Sequence, residues 1–92
     1  MDITQVDILD EEKLESKHNV RSHEVFEVIR NQPRIRFSAR GKVPGEDVYA
    51  AYGQTEGGRY LTVFFIYKLS RTALVISARD MDQKERKRYG RK

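Results

Sequence analysis

Residues 34–79 hold four runs that read as β-strands, and no connection between consecutive runs exceeds six residues. A parallel crossover needs about a dozen residues or more, so these strands are confined to an antiparallel meander. The first run, 34–40, alternates cleanly: Ile35, Phe37 and Ala39 fall on one face, Arg34, Arg36, Ser38 and Arg40 on the other. The second is 47–54, in which Gly53 signals a bulge or a close backbone approach. The third, 59–67, is apolar on both faces, as an inner strand is, and the fourth is 73–79. Lys42–Gly45 and Glu56–Gly58 supply turns between them.

Helices flank the meander. Asp10 is placed to cap a helix over Glu11–Lys17, with acids in its first turn and Lys13 and Lys17 toward its end, as the helix dipole favours. His18–Asn19 stops it, Asn being tolerant of left-handed geometry. Ser22 is placed to cap a second helix whose Val25, Phe26 and Ile29 share one face, and Pro33 ends it. Asp80 or Asp82 caps a last helix over residues 82–90. The predicted fold is therefore α+β: two N-terminal helices, a four-stranded antiparallel sheet and a C-terminal helix, one domain over residues 1–92. Helices must cover one sheet face to bury Phe64, Phe65 and Ile66, and both phenylalanines read as core or interface.

Composition excludes several classes. A chain of 92 residues has no room for an enzyme with a separate cofactor domain, and without cysteine it is not a disulfide-stapled module. The acidic start, MDITQVDILDEE, lacks the basic and apolar parts of an export signal. Tyr60–Tyr67, the most apolar stretch, has eight residues where a membrane helix needs ~20. A cytoplasmic protein without membrane association is expected. The net charge of +4 is polarised. Residues 1–16 hold six acids and one base, whereas residues 79–92 hold seven bases and three acids. Such a basic end suits a phosphate backbone or an acidic protein.

The reactive side chains narrow the chemistry. His18 and His23 lie across a helix break without a zinc-binding spacing, so no metal site and no cofactor is expected. Gly57 and Gly58 lead into a strand, which rules out a P-loop, and no nucleophile elbow supports a serine triad. Cations, tyrosines and imidazoles are what the chain offers, and these suit RNA cleavage without a metal. There the 2′-hydroxyl attacks its own neighbouring phosphate. Catalysis must then stabilise charge on the phosphorane oxygens and move protons, tasks for Arg or Lys and for His, Glu or Tyr. Arg79, where the fourth strand meets the last helix, is placed for the first task. Glu85 and Tyr89 share a face of that helix at i, i+4.

Five segments in order resemble the BrnT toxin family: Lys17–Val20 (KHNV), Glu46–Thr55 (EDVYAAYGQT), Gly58–Tyr67 (GRYLTVFFIY), Val75–Met81 (VISARDM) and Lys84–Tyr89 (KERKRY). The resemblance covers about residues 6–90. It implies a RelE-like fold, an mRNA-cleaving ribonuclease that arrests growth, and a DNA-binding antitoxin of the BrnA kind that represses the shared operon. Operator DNA would be reached only through that complex. Carried over residue by residue, the implied site comprises Lys17, His18, Arg59, Tyr67, Arg79, Glu85 and Tyr89. Three departures stand out: the start lacks the family's Trp-Asp or Tyr-Asp pair, and Val48 and Leu74 stand where many relatives carry Arg.

Each candidate also has a purely structural reading. His18 complements a helix pole, and His23 reads as a solvated surface residue. Arg79 could pair with Asp80 or Asp82, Glu85 with any neighbouring base, and the Tyr89 ring could pack on the sheet. Arg34 and Arg36 form either a charged sheet edge or a phosphate track, and Arg86 joins the basic end that suits RNA. Three functions follow: a metal-independent endoribonuclease toxin, a catalytically weak or inactive RNA- or protein-binding domain on the same fold, or a structural subunit.

Overall fold

The computed structural model describes residues 1–90, so Arg91 and Lys92 of the basic run lie outside the described residues. Its elements in order are β1 (Gln5–Ile8), α1 (Glu11–His18), α2 (Ser22–Arg30), β2 (Arg34–Ala39), β3 (Val48–Gln54), β4 (Tyr60–Tyr67), β5 (Thr72–Asp80) and α3 (Gln83–Gly90). The meander forms as predicted, with β2 to β5 pairing antiparallel in sequence. The sheet nevertheless has five strands and is mixed, which corrects the four-stranded antiparallel expectation. β1 runs parallel to β5, Gln5 opposite Thr72 and Ile8 opposite Val75, giving the order β1-β5-β4-β3-β2.

β1 is short, but its alternation is that of a strand. Val6 and Ile8 turn inward and pack on the core, while Gln5 and Asp7 are exposed. The parallel pairing is anchored outside the strand as well. Thr4 N–H donates to the Arg71 carbonyl and Leu9 N–H to the Val75 carbonyl, each at 2.9 Å. The Tyr67 hydroxyl donates to the Asp2 carbonyl at 2.7 Å, and Arg71 pairs with the Asp2 carboxylate at 3.1 Å.

The helix signals hold with one exception. Asp10 accepts from Lys13 N–H at 3.0 Å, and Asn19 ends α1 in the left-handed region with φ 52°. α2 is entered at Arg21 rather than capped by Ser22: the Glu24 carboxylate reaches back to Arg21 N–H at 3.0 Å. Asp82, not Asp80, caps α3. It accepts from Glu85 N–H at 2.8 Å, and Glu85 Oε1 accepts from Asp82 N–H at 3.0 Å, the reciprocal pair of a capping box.

Leu61, Val63 and Phe65 of β4 alternate onto the face covered by α1 and α2, where Leu14, Val20, Val25 and Val28 bury them. Gly53 lies on this face because α2 crosses it closely: a Cβ there would sit 3.1 Å from Val28 Cγ1. The close-approach reading of that glycine is therefore the right one. Phe64 is not core; it alternates to the opposite face and stays half-buried. The clean alternation of 34–40 also fails at its end. A register shift between Phe37 and Ala39 leaves Arg40 beyond the strand, while Phe37 stays 58% exposed with its ring edge-on to Tyr49. Among the described residues, no helix is long and apolar enough to cross a membrane.

Candidate active site

The even-numbered residues of β4 face away from α1 and α2, and strand register sets their neighbours. Arg34 pairs with Tyr52, Tyr52 with Thr62, and Thr62 with Arg79, so one row across four strands ends in a guanidinium on each side. The next row runs Arg36, Ala50, Phe64 and Ser77. α3 lies over the first row. Arg34, Arg36, Tyr52, Glu85, Arg88 and Tyr89 line a cleft of only about 20 Å³ beneath it, room for a water and not for a nucleotide.

Arg79 and Glu85 form the centre. Arg79 Nη1 donates to Glu85 Oε1 at 2.6 Å and Nη2 to Oε2 at 2.9 Å, while Nη1 also reaches the Asp80 carbonyl at 3.1 Å. The guanidinium carbon lies 5.3 Å from the centre of the Phe64 ring, which floors the site. Glu85 Oε1 further accepts from the fully buried Thr62 hydroxyl at 3.1 Å and from Asp82 N–H. The Arg79 hydrogen bonds hold the Glu85 carboxyl below its ordinary pKa, against the opposing pull of burial. Glu85 is therefore an anion at neutral pH: not a resting acid, and a weakened base. Arg79 keeps Nε–H and one Nη2 hydrogen outside this pair, so it can still bind an oxyanion.

Of the carboxylates that partner Arg79 and Arg59, Glu85 and Asp80 titrate low, Asp80 chiefly through its hydrogen bonds to Arg59. A carboxyl whose folded pKa lies below its unfolded one stabilises the fold above the unfolded value. That stability is lost as pH falls through the folded one. Thermal melts are thus expected to be flat from about pH 8 to about pH 5 and to fall below about pH 4.5. Glu85→Gln should show a shallower acid slope than the parent chain.

The structure does not gather all the residues that the sequence singles out. Arg79, Glu85, Tyr89, Arg34 and Arg36 share the α3 face, and Arg86 extends it at the surface. Arg59 is elsewhere. Its guanidinium is spent on Asp80 at 2.7 Å, Glu24 at 3.0 Å, the Asn19 carbonyl at 2.8 Å and the His18 carbonyl at 3.4 Å. It clasps the end of α1 to α2 and β5. Tyr67 ties the N-terminal segment through its hydroxyl and packs on the core. Lys17 is exposed at the end of α1. His18, also exposed, lines a separate small cleft with Ile76 and Ser77 at the bulged part of β5. The cleft holding His18 is not the one beneath α3, although Ser77 belongs to the row beside Arg79. Tyr52 and Thr62 are site residues that sequence reasoning missed, and Arg88 entered it only as part of the basic end. Arg88 carried a signal, being three residues from Glu85 on the same helix; Tyr52 and Thr62 needed the register.

A family model described as the ribonuclease toxin, BrnT, of a type II toxin–antitoxin system matches residues 10–85. The chain belongs to the BrnT family. Membership makes it one of a family of ribonuclease toxins, which implies an RNA substrate and an antitoxin partner. The matched span contains the Arg79–Glu85 pair and stops short of Tyr89. No curated protein matches the chain. The two positions at which the sequence resemblance leads one to expect Arg, Val48 and Leu74, fall together. Val48 pairs with Ile66 and Ile66 with Leu74, so this BrnT chain carries an apolar row on the same face as Arg79.

Proposed function

We propose that this chain, as one domain over residues 1–92, is an endoribonuclease toxin that cleaves RNA without a metal ion and thereby inhibits translation and growth. The observation that carries the reading is the bidentate Arg79–Glu85 pair, set on an aromatic floor at the end of a cross-strand row that begins with Arg34. Arg79 stabilises the charge that develops on the phosphorane oxygens as the 2′-oxygen bonds to phosphorus and the 5′-oxygen leaves. Glu85 is a positioning residue. Thr62 and the Asp82 amide fix it, and it fixes the guanidinium. Tyr89, which lines both this cleft and the open one beside α3, gives a proton to the departing 5′-oxygen. His18, whose separate cleft adjoins Ser77 of the row beside Arg79, takes the proton of the attacking 2′-hydroxyl in this proposal.

Arg34, Arg36 and Arg88 hold the phosphates on either side, with Lys17 at the far edge, while Arg86 on the exposed side of α3 meets the RNA beyond them. In this proposal the toxin works in the cytoplasm, and its antitoxin is a DNA-binding protein of the BrnA kind, through which alone the pair meets operator DNA. A second reading, a weak or inactive RNA-binding domain, is favoured by the apolar row at Val48, Ile66 and Leu74. Incubating purified protein with RNA, with and without EDTA, separates them. The proposed mechanism yields 2′,3′-cyclic phosphate and 5′-hydroxyl ends at the same rate in both. Abolition of cleavage by the chelator would refute it, and binding without cleavage would establish the second reading.

A further inference from the structure

Beside the Arg79 site, and sharing Tyr89 with it, lies a larger open cleft of about 750 Å³ between α3 and the start of β4. That is ample for a nucleotide. Its wall is an ordered stack. The Arg86 guanidinium lies over the Tyr60 ring with its carbon 4.2 Å from the ring centre, and the Tyr89 ring meets Tyr60 edge-on at 6.0 Å. Arg86 is exposed, so the face of its guanidinium plane away from Tyr60 is open to a third layer. Lys84 and Lys87 flank the cleft, Gln83 presents an amide, and among the described residues that line it none is acidic. Cations interleaved with aromatic rings and free of carboxylates match single-stranded nucleic acid, whose unstacked bases settle on aromatic and guanidinium planes.

Resting on the ribonuclease reading above, we propose that the Arg86–Tyr60 stack is the platform for one unpaired base of the RNA flanking the scissile phosphate. The base forms the outer layer of a sandwich in which Tyr60 is the inner layer and Arg86 the middle one. Tyr89 braces Tyr60 from the side and links the platform to the site. Lys84 and Lys87 take neighbouring phosphates, and the Gln83 amide, with a donor and an acceptor, meets a base edge.

The test couples a residue to a base. RNA oligonucleotides spanning a mapped cleavage site are made non-cleavable by 2′-O-methylation at the attacking nucleotide, with an abasic unit placed at each flanking position in turn. For the wild-type protein, one abasic position is expected to weaken binding by about 5- to 150-fold, the worth of one stacked base. Arg86→Lys keeps the charge and loses the plane. It should bind the intact RNA correspondingly more weakly and be indifferent to that abasic position. Lys84→Gln should weaken both RNAs equally and lower the salt slope by about one ion. If the losses from Arg86→Lys and from every abasic position simply multiply, the platform does not exist, even though the unmodified RNA is still cleaved. If the protein cleaves no RNA, the ribonuclease reading fails and the platform with it.

Discussion

Arg79→Ala is expected to slow RNA cleavage by more than ~10²-fold while the protein stays folded. The size follows from what the guanidinium does. It is the cation held rigid by a bidentate carboxylate, a backbone carbonyl and an aromatic face, so it needs no rearrangement to meet a developing negative charge. The fold tolerates its loss because the Arg79 side chain is 37% exposed and Glu85 keeps its bonds from Thr62 and Asp82. A stability change of about 1–2 kcal/mol is expected, which a thermal melt will read. Arg79→Lys retains the charge without the two-pronged geometry and should recover only part of the rate. An unchanged rate in Arg79→Ala would remove this residue from the chemistry and leave its pair with Glu85 as a tie between β5 and α3.

Arg59→Met is expected to act in the opposite way, lowering stability by about 2–3 kcal/mol while the folded protein still cleaves RNA. Arg59 satisfies the carbonyls of His18 and Asn19 at the end of α1 and neutralises two carboxylates, of which Glu24 is only 16% exposed. Removing the cation leaves Glu24 short of its partner and the end of α1 unsupported. In a chain of 92 residues this corresponds to a fall in melting temperature of roughly 10–20 °C. The opposite pattern, full stability with weakened RNA binding, would return Arg59 to the nucleic-acid role that the family resemblance implies.

These two arginines show where sequence reasoning reaches and where it stops. Arg79 and Glu85 were legible because they are six residues apart across a strand end and a helix start, and local signals place both. Arg59 was not, since its acceptors come from α1, α2 and β5, segments that only the folded chain brings together. The same holds for the sheet. Short turns announce the meander, whereas the partner of β1 is more than sixty residues away and leaves no local trace. Phe64 and Phe65 look alike in sequence, yet the alternation of β4 sends one under Arg79 and the other into the core. Val48 and Leu74, 26 residues apart, are two places from one another in a single row through Ile66. Register is what a linear reading lacks here, and register is what builds the site.

The parallel pairing of β1 with β5 has a consequence for the order in which the molecule comes into being. During synthesis the first strand leaves the ribosome long before its neighbour does, and until then its edge has nothing to join. Arg79 stands near the end of that late strand and Glu85 follows it, so the Arg79–Glu85 pair can close only after the strands before it have been made. Under the ribonuclease proposal, a nascent chain cannot act on RNA before α3 has emerged.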